Sequence, residues 1–337
     1  MEKPPTPRPN FLHANLIAST GLTIVVLTRN RRELLRGCLE SLFSQDDPGI
    51  PLHFLVVDDG STDGTGEMAR ELVASRPHWR YVPRAHGGIA AARNTGIRNS
   101  RSALIAIVAD DYLLPTNYGR AIAVFFRDHP LAQVLRFKVV LAGGGFLRLA
   151  LHAYREAGVL RRLVPQASRG KRHGLWRRAR AEETITTDHE LEAAGAAAFR
   201  SDVFQRIGCF DESFDRGEDT EFTRRLHDAG IAVHYSPRLH IRHRDDPGLR
   251  SALKNAFISG RASWRLCATP GQKPARVAYL IRLALRSGPA ALYWSCWRAW
   301  QTGWPVRFFF YLPVMLLLEL SSRAGFFRAA IHSRRKP

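Results

Sequence analysis

Five short clusters in this 337-residue chain combine residue types that could do chemistry. Asp110-Asp111 closes a continuous apolar run at residues 103–109. Adjacent carboxylates at the end of a buried strand repel each other unless a cation or hydrogen-bond donors compensate. A divalent metal bridging a diphosphate is one natural compensation, because it takes hard oxygen ligands and needs few protein groups. The same two acids would also suit a helix N-cap or a turn. Asp58-Asp59-Gly60-Ser61 repeats the arrangement after an earlier apolar run. A carboxylate there could accept hydrogen bonds from a base or ribose, or close a turn. Arg93-Asn94-x-Gly96 lies on the first turns of a helix opened by Gly87-Gly88, a place where arginine suits phosphate. Gly217-Glu218-Asp219 precedes a helix, so its acids fit a general base or a capping acid favoured by the helix dipole. His240-x-x-His243 could ligate metal, contact phosphate or sit on the surface.

The elements that position these clusters follow from the hydrophobic pattern. Residues 22–27 read as a buried strand, followed by a helix over 32–44 with Leu34, Leu35, Cys38 and Leu39 on one face. Residues 53–57 form a second strand. The helix after Asp58-Asp59 takes Ser61 or Thr62 as its cap. Residues 79–82 are a third strand, 89–99 a helix and 103–109 a fourth strand. Strands alternating with helices of this length call for a parallel sheet covered on both faces. In such sheets the functional loops lie past the carboxyl ends of the strands, so the two aspartate pairs should meet at one edge. After Leu131 the pattern loosens: a strand at 134–141, a break at Gly143-Gly144-Gly145 and a basic stretch at 161–180. Regularity returns at 196–199 and 203–207, then with a helix at 218–229 and a last strand at 231–235 with both histidines beyond it. Residues 249–337 are helical, basic and rich in tryptophan.

Composition bounds the partners. The chain carries 50 Lys and Arg against 30 Asp and Glu, for a net charge of +20. Such a surplus points to nucleic acid, an acidic membrane surface or a phosphorylated substrate. It is unevenly placed. Residues 157–181 contribute +8 and residues 247–337 contribute +14, where Glu319 is the single acid, leaving about −2 for the rest. Cys38, Cys209, Cys267 and Cys296 lack C-x-x-C spacing, which fits reduced thiols in a cytosolic setting. The first ten residues hold four prolines and no apolar core, unlike a signal peptide. No uncharged apolar run is long enough for a plain transmembrane helix.

Six blocks recur in a telling order: Thr23 to Arg31 as TIVVLTRNR, Val56 to Asp63 as VVDDGSTD, Gly87-Gly88-x-x-x-Ala92-Arg93-Asn94-x-Gly96, Ala109-Asp110-Asp111, Gly208-x-Phe210-Asp211-Glu212-x-Phe214, and Gly217-Glu218-Asp219-x-Glu221-Phe222 with Arg225-Leu226. In this order residues 22–245 resemble the family 2 glycosyltransferases of the GT-A fold. The resemblance implies an α/β nucleotide-diphospho-sugar transferase fold, a Rossmann-like, mostly parallel sheet with flanking helices. It also implies inverting sugar transfer from a nucleotide-sugar in a single displacement. On the same basis Thr28, Arg29 and Asn30 border the base, Asp59 binds it, Arg93 lies near the diphosphate and Asp110 contacts ribose or sugar. Asp111 becomes the ligand of Mn²⁺ or Mg²⁺, with His243 a further metal or diphosphate contact. Asp219 becomes the general base, with Glu218 and Arg225 on the acceptor side. One base on the face opposite the leaving group suffices for inversion, and a cation stabilises the developing phosphate charge. Two positions depart from the family pattern: Val108 stands where an acid often precedes the metal-site pair, and Arg29 where an aromatic often follows Thr28.

The tail has its own logic. Val277, Leu280, Ile281, Ala284 and Leu285 share one helical face and Arg276, Arg282 and Arg286 the other. Trp294, Trp297, Trp300 and Trp304 recur at three- or four-residue spacing, and residues 308–318 are uncharged but too short to span a bilayer. Indoles flanked by arginine suit the interface of an anionic leaflet, or a helical subdomain packed on the catalytic domain. The basic stretch at 161–180 suits a phosphorylated or lipid-diphosphate acceptor, or a solvated loop.

The expected organisation is a flexible segment at 1–20, a GT-A catalytic domain at 21–248 and a basic, membrane-interfacial helical extension at 249–337. Within the catalytic domain the nucleotide-sugar half ends near 130. The expected activity adds a sugar to a glycan or lipid-linked acceptor in bacterial cell-surface polysaccharide or glycolipid synthesis, at the cytoplasmic face of the inner membrane. A nucleotidyltransferase would need a Gly-rich loop after the first strand, and Thr28-Arg29-Asn30-Arg31 has no glycine. A nucleic-acid binder would carry its charge across the core, which is about neutral. An inactive scaffold would not need Asp59, Asp111 and Asp219 together.

Overall fold

A computed structural model describes residues 19–143, 145, 150–151, 195–244, 248–267, 289 and 306–332. The basic stretch at 161–180, the amphipathic segment at 276–286 and the four tryptophans at 294–304 lie outside the described residues. The chain divides into two compact units. The first comprises residues 1–138, 184–212 and 222–241, and the second 139–183, 213–221 and 242–337.

The first unit is built on a sheet. Its strands are β1 (Ser19–Thr28), β2 (Leu52–Asp58), β3 (Trp79–Pro83), β4 (Ser102–Ala109), β5 (Tyr112–Leu113), β6 (Val134–Leu141), β7 (Ala196–Arg200) and β8 (Val233–His243), in the order 3-2-1-4-7-6-8-5. β1 pairs in parallel with β2 on one side and β4 on the other, and β2 pairs in parallel with β3. This is the block that the apolar runs foretell. A strand covered on both faces has no reason to alternate, and Leu22, Ile24, Val25, Val26 and Leu27 are all buried. Beyond β4 the sheet turns antiparallel, since β7 runs against both β4 and β6.

Helices α1 (Arg32–Leu42), α2 (Thr65–Ala74), α3 (Ile89–Asn99) and α4 (Tyr118–Asp128) follow the strands in turn. α3 lies so close to the sheet that a Cβ at Gly96 would overlap the Val25 side chain, so only glycine permits that approach. α5 (Asp202–Ile207) and α6 (Glu218–Asp228) complete the sequence before β8. Phe199, Phe204, Phe210 and Phe222 bring β7, α5, the turn after it and α6 into one core, with Phe210 and Phe222 stacked at 4.4 Å.

Two expectations need correction. α2 starts at Thr65 behind Gly64, not at a Ser61 or Thr62 cap, because Ser61 donates its hydroxyl to Asp58 and accepts the Asn30 N–H. The last strand runs to His243, so both histidines lie on β8 rather than past it. The alternation that keeps it a strand is visible in burial: Leu239, Ile241 and His243 are buried while His240 and Arg242 are exposed.

The second unit holds α7 (Leu249–Cys267) and α8 (Val306–His332). The two helices touch backbone to backbone. A Cβ at Gly260 would collide with the Ser322 carbonyl, and one at Gly325 with the Phe257 carbonyl. Ala252, Ala256, Leu253, Val314 and Leu318 fill the seam, and Trp264 meets Phe326 edge-on at 5.2 Å. Among the described residues no helix is long and apolar enough to cross a membrane.

Candidate functional site

The sheet register fixes the edge. Thr28 is level with Asp58 across β1 and β2, and Leu27 is level with Ala109 across β1 and β4. Asp110 therefore stands one residue past β4 beside the end of β1, and the Thr28 hydroxyl donates to its Oδ2 at 2.8 Å. The chain leaves β1 through Asn30, whose positive φ of 51° is one that asparagine tolerates. Asn30 accepts the Thr62 N–H on its side chain, which staples the loop after β1 to the loop after β2. Arg31 follows at the N-cap of α1, a position where a helix offers its free N–H groups to anions. Its guanidinium bridges both acids, with Nη1 at 3.3 Å from Asp110 Oδ1 and 2.8 Å from Asp111 Oδ2. Burial pushes the Asp110 carboxyl up to about 6; Arg31 pulls it down and the neighbouring charge of Asp111 raises it.

Asp58 and Asp59 are held quite differently. Asp58 accepts the Ser61 N–H and hydroxyl at 2.9 and 2.6 Å, and the Tyr81 hydroxyl at 2.7 Å. Asp59 accepts the N–H groups of Gly87 and Gly88 at 3.0 and 2.9 Å, lies 2.7 Å from His86 Nδ1 and pairs with Arg84. The carboxylate thus organises the whole turn from β3 into α3.

On α3, Arg93 is buried with its guanidinium 5.1 Å from the Phe210 ring centre. Asn94 donates to the Phe210 carbonyl and to Glu212, and accepts the Phe210 N–H. Arg98 adds an ion pair to Glu212 at 2.8 Å. The Asn94 hydrogen bond, followed by Arg98, holds the Glu212 carboxyl below its ordinary range. Arg225 donates to the carbonyls of Ile207 and Cys209 and lies over Phe222, bracing the same turn from α6.

Glu218, Asp219 and His243 belong to the second unit. The turn that leads to Glu218 and Asp219 is docked on α7: Arg265 holds Ser213 and covers Phe214, Arg216 donates to the Asn255 carbonyl, and Gly217 lies against Ala262. Glu218 is buried, and Asp219 accepts the Thr220 N–H at 2.8 Å. His243 is buried, and its carbonyl accepts the Ala142 N–H.

The structure brings together Thr28, Asp110 and Asp111, and it adds Arg31, which the sequence had offered only inside a motif. Arg29 and Asn30 are exposed beside that cluster in the chain. Arg84 and His86 are further residues that sequence reasoning passed over, and Asn94 and Glu212 had been given no role of their own. Their signal was present in part, since Asn94 and Glu212 stand in two of the six recurring blocks.

Two buried carboxylates sharing one guanidinium form a hard-oxygen set with surplus negative charge, which fits a divalent cation. Among the described residues no three His, Cys, Asp or Glu side chains gather to hold an ion.

The glycosyl transferase family 2 description matches residues 23–208, more than half of the chain. The chain belongs to glycosyl transferase family 2. This family 2 chain is 27% identical over 206 residues to the uncharacterized glycosyltransferase EpsJ of Bacillus subtilis, covering 60% of the chain and 54% of EpsJ. It is 24% identical over 216 residues to glycosyltransferase AglE of Haloferax volcanii, covering 64% of each. A shorter match, 32% identical over 108 residues, relates 32% of the chain to 31% of the uncharacterized glycosyltransferase YibD of Escherichia coli. The chain spans less than two thirds of each of these relatives. The fold is similar to that of the mannosyltransferase PcManGT from Pyrobaculum calidifontis, solved with GDP-Man and Mn²⁺ (TM-score 0.55, 19% identity, 91% of this chain and 86% of that one). The architecture of this family 2 chain is accordingly the GT-A type, a mixed sheet with flanking helices and added C-terminal helices.

Proposed function

We propose that the chain transfers a sugar from a nucleotide-sugar to a hydroxyl acceptor with inversion at the anomeric carbon. The observation that carries this reading is the cluster of Thr28, Arg31, Asp110 and Asp111 at the carboxyl edge of β1 and β4. It lies at the N-terminus of α1, where a diphosphate finds both N–H groups and a guanidinium. The likeness to PcManGT, solved with GDP-Man and Mn²⁺, supports a donor of this class.

In this reading Thr28, Arg29 and Asn30 border the nucleoside, together with the turn that Asp59 organises. Asp110 faces ribose or sugar, and Arg93 backs the diphosphate from α3. Asp111 would hold Mn²⁺ or Mg²⁺, with His243 as a second contact. When bound, that cation would neutralise charge developing on the departing diphosphate. Asp219 accepts the proton of the acceptor hydroxyl as that oxygen attacks, and one base is enough for a single inverting displacement. Glu218 and Arg225 shape the acceptor side, Arg225 through the turn it braces. The acceptor is a glycan or lipid-linked sugar of bacterial polysaccharide or glycolipid synthesis. The net +14 of residues 247–337 supports a site of action on the anionic cytoplasmic face of the inner membrane.

The test is Asp219→Asn assayed two ways. Transfer should fall at least ~10²-fold, the scale of general-base catalysis. Thermal stabilisation by nucleoside diphosphate with Mn²⁺ should stay near the wild-type value. A variant that keeps most of its turnover would remove Asp219 from the reaction. A wild-type chain that no nucleotide-sugar stabilises, with or without Mn²⁺ or Mg²⁺, would overturn the donor class itself.

A further inference from the structure

On α8, Val314, Leu318, Phe326 and Gly325 face α7. The opposite side of the helix carries Leu317, Leu320, Phe327 and Ile331, which are 46%, 63%, 39% and 58% exposed. At 100° per residue these four, with the exposed Pro313 before them and Ala324 between them, fall within roughly 80° of arc and extend for about 27 Å along the helix. Isolated surface leucines are ordinary, whereas a continuous apolar stripe opposite a helix's packing face marks an interaction surface.

We propose that this stripe of α8 is the surface that enters the interface of an anionic lipid leaflet. The proposal rests on the membrane reading given above and names the side chains that make the contact. Charge selects the occupant. From residue 247 onward the chain has fifteen Lys and Arg and one acid, Glu319. Glu319 is buried and paired with Arg323 at 3.3 Å, so the described part of α7 and α8 presents no acid to solvent. α7 meanwhile presents Arg250, Lys254 and Arg261, which repeat at helical spacing along one exposed row. Apolar side chains on one helix and cations on its partner are the two ingredients of interfacial binding. A second copy of this chain would bring +14 against +14, which disfavours self-association through the same region.

The experiment is co-sedimentation of the full chain with vesicles of phosphatidylcholine alone or of phosphatidylcholine and phosphatidylglycerol in equal parts. The wild type should pellet with the anionic vesicles and stay soluble with the neutral ones. Leu320→Gln/Phe327→Gln/Ile331→Gln changes only exposed positions, so its melting temperature and its response to nucleoside diphosphate should match the wild type. Its partition onto anionic vesicles should fall roughly tenfold or more. Arg250→Gln/Lys254→Gln/Arg261→Gln should lose binding that high salt also removes. If the stripe variant pellets like the wild type, the contact surface is elsewhere and the membrane reading stands without it. If the wild type ignores both vesicles, both fall. If light scattering shows a wild-type dimer that the stripe variant breaks, the stripe belongs to a second copy and the proposal is overturned.

Discussion

Asp58-Asp59 and Asp110-Asp111 end two strands that flank β1 on either side, and both pairs are buried at the same sheet edge. Their surroundings differ in kind. Asp58 and Asp59 receive a serine N–H and hydroxyl, a tyrosine hydroxyl, two glycine N–H groups, an arginine and a histidine, nearly all from loops that those contacts hold in place. Asp110 and Asp111 share the guanidinium of Arg31, a side chain that is 39% exposed, and Asp110 takes the Thr28 hydroxyl. The first pair is consumed by the fold; the second shares the half-exposed guanidinium of Arg31, a side chain that can turn away. The same two letters at the same edge thus make a brace on one side of β1 and, on the other, the charged pair proposed as the receptor. What separates them is the set of donors that the neighbouring strands and loops supply.

The sharpest break in that comparison is the sign of a neutralising substitution. Asp59→Asn leaves Arg84 without its carboxylate and turns an amide N–H₂ toward N–H donors, so unfolding free energy should drop by about 2–4 kcal/mol. Asp111→Asn removes one of two like charges and should stay within about 1 kcal/mol of the wild type, while stabilisation by nucleoside diphosphate with Mn²⁺ disappears. Urea titration of both variants checks the pair of outcomes. Equal destabilisation by the two would mean that Asp110-Asp111 is a brace as well.

Much of this edge was legible in the sequence, and the reason is local. β1, β2 and β4 are buried on both faces and so announce themselves as unbroken apolar runs, each ending at polar residues. The donors were not legible, because they are set by tertiary pairing. Asn94 meets Phe210 and Glu212 across more than a hundred residues, and nothing in the spacing of either block specifies the other. Arg31 was only one letter of a motif until β4 was placed beside β1. β8 was underestimated because its outward positions are His240 and Arg242, which read as loop residues, although the inward Leu239 and Ile241 keep a strand's alternation. Ser61 looked like a cap because serine suits caps, and its hydroxyl instead serves Asp58.

A second break uses pH. Asp110 holds its proton up to about 6 in the fold, against an ordinary carboxyl near 3.8. Between those values the folded chain binds one more proton than the unfolded chain, so this group's contribution to stability is fully present below about pH 3.8 and is lost as pH rises through about 6. Other carboxylates pull in the opposite direction, so the measurement is the difference between wild type and Asp110→Asn in metal-free buffer. The wild type should lose about 2 kcal/mol relative to the variant between pH 4 and pH 7. A flat difference would mean that Arg31 neutralises Asp110 fully, and that the receptor is as settled as the brace.

The smallest expected effect tests how far the brace acts as a unit. Tyr81 donates to Asp58 Oδ2 at 2.7 Å, and Asp58 also holds Ser61, which in turn accepts the Asn30 N–H from the loop after β1. Tyr81→Phe keeps the ring and removes one hydrogen bond to a charged acceptor, for a loss of about 1 kcal/mol in urea unfolding. If Asp58 acts alone, the loss should simply add to that of Asp59→Asn in the double variant. The shared loops argue for coupling instead: Asp58 fixes Ser61 and Asp59 fixes Gly87 and Gly88, and the Arg84 N–H reaches the Asp58 carbonyl between them. A double variant that loses less than the sum of the singles would show one network. Strict additivity would show two independent carboxylates that happen to be neighbours.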